Sequence, residues 1–245
     1  MRRIRDEPHL AQAERAAKAL KGVSGVEAVL LFGSVARGDD TDRSDIDVLV
    51  LIEAKSDALG VRKVVAAAEG PFAPVIHTSA TLEQLQRDDW LFVKHLRDEG
   101  VVLFDRQGSV RRQLGDDPDE GAYATLMERS YVDLLRSYRD VDRFHGDLLF
   151  PFAAIYSLAK RITIEANARR NVFEFRRKAA FALYGSAAPQ IADAIAELSR
   201  LEPFFEMTRL GERAVSLPFS SRGSETEFRS AAEAVERLVN AMARG

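Results

Sequence analysis

The 245-residue sequence contains no cysteine and no apolar run long enough to cross a membrane. Without cysteine, disulfide bonds, zinc–thiolate sites, cysteine nucleophiles and thiol redox chemistry are excluded. The longest apolar run, residues 148–156, is about half of the ~20 residues that a membrane span needs. A signal-peptide apolar region is missing as well, because a charged segment follows Met1. We therefore expect a soluble, cytoplasmic protein without membrane contact, in which any metal ion is held mainly by carboxylate oxygen atoms.

An excess of charge of either sign is also absent. The chain has 35 Lys+Arg and 38 Asp+Glu residues, which gives a formal net charge of −3. This balance excludes a polybasic nucleic-acid binder over the whole chain, but it does not exclude a local basic patch. The hydrophobic fraction of 46% is normal for a globular protein and excludes wholesale disorder. At about 150 residues per domain, the length allows one large domain or two small ones.

Short strand-like runs alternate with helical periods up to about Arg106. Residues 9–20 and 57–69 have helical spacing, and Thr81 with Gln84 predicts a capping box that opens a further helix. Strand-like runs cover residues 26–32, 45–52, 75–78 and 101–104. Strands separated by helices predict an α/β sandwich with one face of the sheet covered.

The strand signal fades from about Gly121 onward. Helical periods cover residues 123–144, 149–168, 173–184 and 188–201. A last helix has its apolar residues from Phe228 to Met242 on one face, and Ser224 with Glu227 supplies its capping box. The acidic segment 116–120, which contains a proline, marks the boundary. We predict an α/β (α+β) domain with a mixed sheet in residues 1–106, a linker in 107–120 and an all-α helical bundle in 121–245.

One segment carries chemistry, and it joins a glycine-containing turn to a pair of carboxylates. Gly33 ends a buried strand, where the missing Cβ lets a ligand approach the backbone. Ser34 adds a hydroxyl donor, and a helical turn beginning there would direct free N–H groups at an anion. Asp45 and Asp47 lie two apart on a strand, so both side chains leave the same face, ~7 Å apart. Two carboxylates beside a phosphate-binding turn can hold divalent ions, as in two-metal phosphoryl transfer.

Either half of this segment alone is typical of an ordinary turn or of a solvated strand. The combination favours a metal site, because Asp45 and Asp47 alternate with Ile46, Val48 and Val50 in a strand that otherwise looks buried. Isolated buried carboxylates are energetically unfavourable unless a cation compensates them.

The spacing of Gly33-Ser34, ten intervening residues and Asp45-Ile46-Asp47-Val48 resembles the signature of the DNA polymerase beta-like nucleotidyltransferase superfamily. It is most similar to the minimal, prokaryotic branch, and the resemblance covers roughly residues 9–106, including the ending from Glu99 to Phe104. The resemblance implies transfer of a nucleoside monophosphate from a nucleoside triphosphate, with ATP as the expected donor. The acceptor would be a hydroxyl group, and pyrophosphate would be released.

The resemblance also implies roles for particular residues. Gly33 and Ser34 would bind the triphosphate, and Asp45 and Asp47 would be the catalytic residues that ligate Mg²⁺. Arg37 lies where it would neutralise phosphate charge, although an exposed turn arginine would look the same in the sequence.

The chain departs from the family in one respect. Active members usually carry a third acidic residue on a later strand, but the corresponding residues here, 75–78, include no Asp or Glu. His77 is a candidate base, although a histidine at a strand end is more often only a polar residue. Glu83 lies in the following helix, and Glu53 lies ~20 Å along the strand from Asp47. Either a carboxylate from the helical half completes the site, or catalysis is weak or lost.

The helical half offers further hypotheses. Residues 160–178 are locally basic and would suit phosphates of a nucleotide or RNA, or only a solvated surface. Arg139-Asp140 followed by His145 fits the pattern of HEPN-type ribonucleases. The apolar residues 150–159 suit a core or the face of a homodimer.

Three functions remain open at this point. The first is a nucleotidyltransferase acting on a small molecule, an RNA end or a protein side chain. The second is a nucleotide-binding antitoxin-like or regulatory protein with impaired catalysis, and the third is an HEPN-like ribonuclease. The sequence fixes neither the acceptor nor the nucleotide preference nor the oligomeric state.

Overall fold

The computed structural model describes residues 8–42, 44–108, 110–115, 147–210 and 224–244. The chain divides into two compact units, Met1–Asp119 and Glu120–Gly245. Among the described residues, no helix combines the length and the apolar character that crossing a membrane requires.

The first unit contains a sheet and the helices that pack on it. In chain order, its described elements are α1 (Pro8–Leu20), β1 (Val26–Phe32), α2 (Gly33–Arg37), β2 (Ile46–Ile52), α3 (Ala58–Ala67), β3 (Phe72–Thr78), α4 (Ser79–Asp88), α5 (Trp90–Glu99), β4 (Val101–Asp105) and α6 (Val110–Gln113). The strand order is β3-β2-β1-β4. Strand β1 pairs antiparallel with β2 and β4, while β2 pairs parallel with β3. The predicted mixed sheet is therefore confirmed.

The expectation that only one face of this sheet is covered is wrong. Strands β1 and β2 are almost continuously apolar, as strands buried on both faces are. One face of the sheet packs against Leu82 of α4 and against Val93 and Leu96 of α5. The other face packs against α1 and α3, through residues such as Leu20 and Val61.

Several boundaries differ from the sequence prediction for local reasons. Strand β3 begins at Phe72 rather than at residue 75, and it contains Pro74. Proline is tolerated there because β3 is an edge strand of the described sheet. On its outer side, the amides of alternate residues have no neighbouring strand to pair with. Helix α4 is capped by Thr78, whose Oγ1 accepts a hydrogen bond from the amide of Thr81 at 3.2 Å. The predicted capping box at Thr81 is therefore wrong by one turn.

The second unit is helical in its described residues. Its helices are α7 (Leu149–Ala168), α8 (Arg177–Ala187), α9 (Ala192–Ser199), α10 (Glu202–Leu210) and α11 (Glu225–Met242). The bounds predicted for α7 are confirmed, and so is the Ser224–Glu227 capping box at the start of α11. Helix α8 begins at Arg177, later than the predicted residue 173. The helix predicted for residues 123–144 and the acidic boundary segment lie outside the described residues.

The core of the second unit forms around α7. Phe152 and Tyr156 of this helix are buried with Phe204 of α10 and Phe228 of α11. The ring centroids of Phe152 and Phe204 lie 4.9 Å apart, and the rings of Phe152 and Phe228 meet edge to face at 5.8 Å. Aromatic rings of this size contribute much of the apolar area that stabilises a small helical bundle.

Candidate active site

Two glycines bound the short helix that follows β1. Gly33 directly follows Phe32, the last residue of β1, and has a φ of +74°. Helix α2 consists of the five residues Gly33–Arg37, and its C-cap is Gly38, which has the same φ as Gly33. The Gly38 amide donates to the carbonyl oxygen of Ser34 at 2.9 Å, which closes the helix. Positive φ at both positions explains why the chain uses glycine there.

Strand β2 brings one of the two predicted carboxylates against this turn. Phe32 and Asp47 are cross-strand partners in the antiparallel pairing of β1 with β2. A Cβ atom on Gly33 would overlap the Oδ2 atom of Asp47. The half-buried Asp47 side chain therefore uses the space that glycine leaves beside the backbone. Gly33 and Asp47, which are fourteen positions apart in the sequence, meet at one end of the sheet.

Asp45 lies immediately before β2 rather than inside it as predicted. It is half-buried, and its Oδ2 atom is buried. The next residue, Ile46, donates its amide to the carbonyl oxygen of Pro71 at 2.9 Å, which fixes the start of the strand. Asp45 and Asp47 thus flank the first residue of β2, at the same end of the sheet as Gly33.

Ser34 and the loop between α2 and β2 complete this end of the sheet. Ser34 is half-buried in the first turn of α2. In the loop, the Ser44 hydroxyl accepts the Thr41 amide at 2.9 Å. His9 of α1 makes a 2.8 Å contact through Nδ1 with Oδ2 of Asp40, so α1 is attached to the loop. Sequence reasoning did not identify the His9–Asp40 pair, since thirty-one residues separate the two positions.

Arg37 is bound by carboxylates of this chain. Its Nη1 donates to Oε2 of Glu99 at 2.5 Å, and its Nε lies 3.2 Å from Oδ1 of Asp39. Burial lowers the pKa of Arg37, but the hydrogen bonds and negative charges of Glu99 and Asp39 outweigh burial and raise it. Glu99 also meets Nε2 of His95 at 2.8 Å. The sequence signal for this pair was the four-residue spacing of His95 and Glu99 on one helix, which the prediction did not use.

The structure does not bring His77 to the carboxylate pair. In the parallel pairing of β2 with β3, Asp47 is level with Ala73, whereas His77 is level with Leu51. Four residues along a strand correspond to about 13 Å. Burial also lowers the pKa of His77. Glu83 follows the same distant end of β3 and is exposed.

Nothing in the described part of the chain supplies a third carboxylate to Asp45 and Asp47. No group of three or more His, Asp or Glu side chains is placed there to hold a metal ion. Glu53, six positions beyond Asp47, is exposed past the end of β2.

The basic stretch in the second unit is largely compensated by glutamates. Arg169 pairs with Glu165 at 3.0 Å, and Lys178 lies 3.6 Å from Glu202. Arg177 also lies 3.6 Å from Glu202. Such pairing reduces the positive potential that phosphate binding requires. The Arg139, Asp140 and His145 pattern lies outside the described residues.

The N-terminal part of the chain is similar to known proteins. Residues 14–109 match the model of the family described as polymerase beta, nucleotidyltransferase. A Methanocaldococcus jannaschii protein, provisionally named a protein adenylyltransferase, is 32% identical over 81 residues, which make up 32% of this chain and 79% of that protein.

A solved structure shares the fold. It is the crystal structure of spectinomycin adenyltransferase AAD(9) from Enterococcus faecialis with ATP and spectinomycin. The TM-score is 0.57 at 11% sequence identity, and the match covers 96% of this chain and 98% of the other. On the strength of the family model and the 32% identity to a relative covered over 79% of its length, the chain belongs to the polymerase beta nucleotidyltransferase family.

Proposed function

We propose that the protein is an adenylyltransferase that transfers AMP from ATP to a hydroxyl group and releases pyrophosphate. One observation carries this proposal: the carboxylate of Asp47 lies against the Cβ-less face of Gly33 at the end of β1. The turn at Gly33 and Ser34, proposed to bind phosphate, thereby lies beside a carboxylate suited to a cation.

Magnesium fits the residues present. Mg²⁺ is commonly held by one or two carboxylates together with substrate phosphates and water, and Asp45 with Asp47 offers that donor set. When bound, the ion would neutralise phosphate charge and polarise a phosphoryl oxygen. The absence of a side chain at Gly33 leaves room for the Asp47 carboxylate at this position.

The residues of α2 bind the phosphates in this proposal. Phe32 is the N-cap residue of α2, and its side chain cannot accept a hydrogen bond. The amides of the first turn are therefore not capped by a side chain of the N-cap residue. Gly33 contributes its backbone amide, and Ser34 contributes a hydroxyl donor. Arg37 contributes positive charge near the end of the helix.

The reaction forms one bond and breaks another. The acceptor oxygen forms a bond to the α-phosphorus of ATP, and the bond from that phosphorus to the oxygen of the leaving pyrophosphate breaks. The proton of the acceptor hydroxyl leaves to a base or to solvent. Stabilising the charge on the transferring and leaving phosphates is the main task of the protein in such a transfer.

The acceptor class stays open in the proposal, and the names of the relatives support ATP as the donor. One relative is named for adenylyl transfer to protein, and the solved structure is of an enzyme named for spectinomycin. For this chain we propose a hydroxyl of a small molecule, an RNA end or a protein side chain.

Two labelled forms of ATP test the reaction type and the acceptor together. The protein is incubated with Mg²⁺ and ATP carrying the label at the α- or the γ-phosphate, with hydroxylated small molecules, RNA or protein as acceptors. We expect label on an acceptor only from the α-position. Label transferred from the γ-position would indicate a phosphotransferase and overturn the proposal.

A second candidate is a nucleotide-binding regulatory protein with impaired catalysis. The observation that favours it is the residue level with Asp47 on the neighbouring strand. This residue is Ala73, which has no carboxylate that could complete the site. This candidate predicts that ATP raises the melting temperature of the protein without release of pyrophosphate, whereas an adenylyltransferase gives both.

A further inference from the structure

Glu99 lies at the same end of the sheet as the Gly33–Asp47 contact, on the opposite side of β1. Strand β4 pairs antiparallel with β1, and Leu31 is the partner of Val101. Glu99, the last residue of α5, precedes Val101 by two positions and therefore lies near the end of β1, where Gly33 begins. On the other side of the same strand end, Asp47 is the partner of Phe32. Neighbouring strands are about 4.8 Å apart, so about 10 Å separates the two flanking backbones.

The side chain of Glu99 contacts both Arg37 and His95 at this position. It accepts from Nη1 of Arg37 at 2.5 Å and contacts Nε2 of His95 at 2.8 Å. The exposed fractions of the three side chains are only 17%, 20% and 18% for Glu99, Arg37 and His95. The His95 ring meets the ring of Phe32 edge to face at 5.6 Å. These contacts connect the end of β1 with α2 and α5.

The state of Glu99 argues against a role as general base. Burial raises its pKa, but the hydrogen bonds from His95 and Arg37 and their charges outweigh burial and lower it. A carboxylate of low pKa is a poor proton acceptor near neutral pH, since a general base works best with a pKa close to the operating pH. The ionised form of Glu99 is therefore favoured beside Arg37.

The guanidinium of Arg37 is only partly used by these contacts. Nε meets Asp39 and Nη1 meets Glu99. Within the described residues, Nη2 makes no hydrogen bond, and it carries two N–H donors. A planar guanidinium held by two of its nitrogens is fixed in orientation, so the remaining donors are preorganised for a phosphate oxygen.

We propose that Glu99, supported by His95, is a positioning residue that fixes Arg37 so that its Nη2 donors meet the triphosphate of the nucleotide. This inference rests on the proposed function. It assigns Glu99 an effect on nucleotide binding rather than on the chemical step.

The test uses Glu99→Gln in the full-length protein. Glutamine keeps the size and one oxygen acceptor but loses the charge that holds Arg37. We expect the Kd for ATP to rise about 10-fold, in line with the loss of a hydrogen bond between charged groups, with kcat within about twofold. The Kd for AMP, which lacks the β- and γ-phosphates, should change much less. A loss of packing alone would not distinguish ATP from AMP.

The matched control is Glu53→Gln, the same change at a glutamate that is exposed past the far end of β2. We expect its Kd for ATP to stay within about twofold of the wild-type value. A double-mutant cycle with Arg37→Lys adds a second readout: if Glu99 acts through Arg37, the combined variant should bind ATP about as weakly as Arg37→Lys alone.

The outcomes separate this inference from the proposed function. A wild-type protein that neither binds ATP nor releases pyrophosphate overturns both. Unchanged ATP affinity in Glu99→Gln, alongside wild-type activity that Asp47→Asn abolishes, overturns only the positioning role. Equal weakening of ATP and AMP binding, or full additivity in the cycle, also overturns it. If Glu99→Gln does not fold, the Kd for ATP of Arg37→Lys decides: an unchanged value contradicts the inference.

Discussion

The carboxylate of Asp47 occupies the space that a Cβ atom on Gly33 would need. The two residues meet because Phe32 and Asp47 are cross-strand partners and because Gly33 leaves β1 with a φ of +74°. A turn suited to phosphate and a carboxylate suited to a cation thus lie side by side at one end of the sheet. The proposed activity depends on this contact.

The contact predicts different outcomes for two glycine substitutions. Gly33 and Gly38 share a φ of +74°, but a Cβ on Gly38 would meet nothing within 4 Å. Both Gly33→Ala and Gly38→Ala should lose about 1–2 kcal/mol of unfolding free energy, because alanine is strained at positive φ. Only Gly33→Ala should also lose pyrophosphate release, since its methyl group displaces the Asp47 carboxylate. Denaturant unfolding and a pyrophosphate assay measure the two effects. Equal activity loss in both variants would contradict the assignment.

His77 should be dispensable for catalysis. Its register partner is Leu51, about 13 Å along the strand from the level of Asp47. We expect His77→Gln to release pyrophosphate within about twofold of the wild-type rate and to keep the same pH profile. Loss of the acidic limb of that profile in the variant would show that the histidine acts as the base after all.

The pH dependence of stability should carry a contribution from Glu99. The pKa of this carboxyl is lowered in the folded protein, after its hydrogen bonds with His95 and Arg37 overcome the effect of burial. Its contribution to stability is therefore fully present above the ordinary glutamate pKa, 4.5, and is lost as the pH falls through the lowered folded value. The difference in unfolding free energy between the wild type and Glu99→Gln should shrink over that acidic range.

A control for this acid effect is Glu225→Gln. Glu225 forms an ion pair with Arg229, and the two side chains are 55% and 66% exposed. Exposed pairs of this kind add little to stability, so the variant should follow the wild type at every pH. A difference between wild type and Glu99→Gln that stays constant down to pH 2 would contradict the prediction.

Replacing Phe228 with alanine should destabilise the helical unit far more than replacing Phe150 with alanine. Phe228 is fully buried in its core, whereas Phe150 is 68% exposed on α7. We expect Phe228→Ala to lower the unfolding free energy by about 3–5 kcal/mol and Phe150→Ala to change it by less than about 0.5 kcal/mol. Thermal or denaturant unfolding provides the measurement. A large loss at Phe150 would instead indicate that this side chain is covered in solution.

The order of elements in the first unit was accessible from the sequence because its strands are strongly apolar and its turns are marked by glycine. The 26–32 strand and the 149–168 helix were predicted with the observed bounds. The predicted strand 75–78 begins only after Pro74, whereas the edge position of β3 in the sheet allows a proline within the strand. The covering of both sheet faces could not be predicted either, because it depends on how the helices pack against the sheet.

The candidate site also has features that the sequence predicts and features that only the fold reveals. The signature of Gly33, Ser34, Asp45 and Asp47 is local enough to be predicted from residue spacing. The partners of Arg37 could not be predicted, since Glu99 is sixty-two positions away and reaches Arg37 only through the pairing of β4 with β1. The direct contact of Gly33 with Asp47 likewise required the register of two strands.

The most direct test of the proposed activity is pyrophosphate release with ATP, Mg²⁺ and an acceptor, compared between wild type, Asp47→Asn and Glu53→Gln. Both substitutions remove one negative charge near the same strand, but Glu53 is exposed past its far end. We predict that Asp47→Asn reduces the rate at least about 100-fold, because in the proposed function Asp47 would ligate the ion that stabilises the transferring phosphate. Glu53→Gln should retain the wild-type rate. Pyrophosphate release by Asp47→Asn at the wild-type rate would contradict the assignment of the active site.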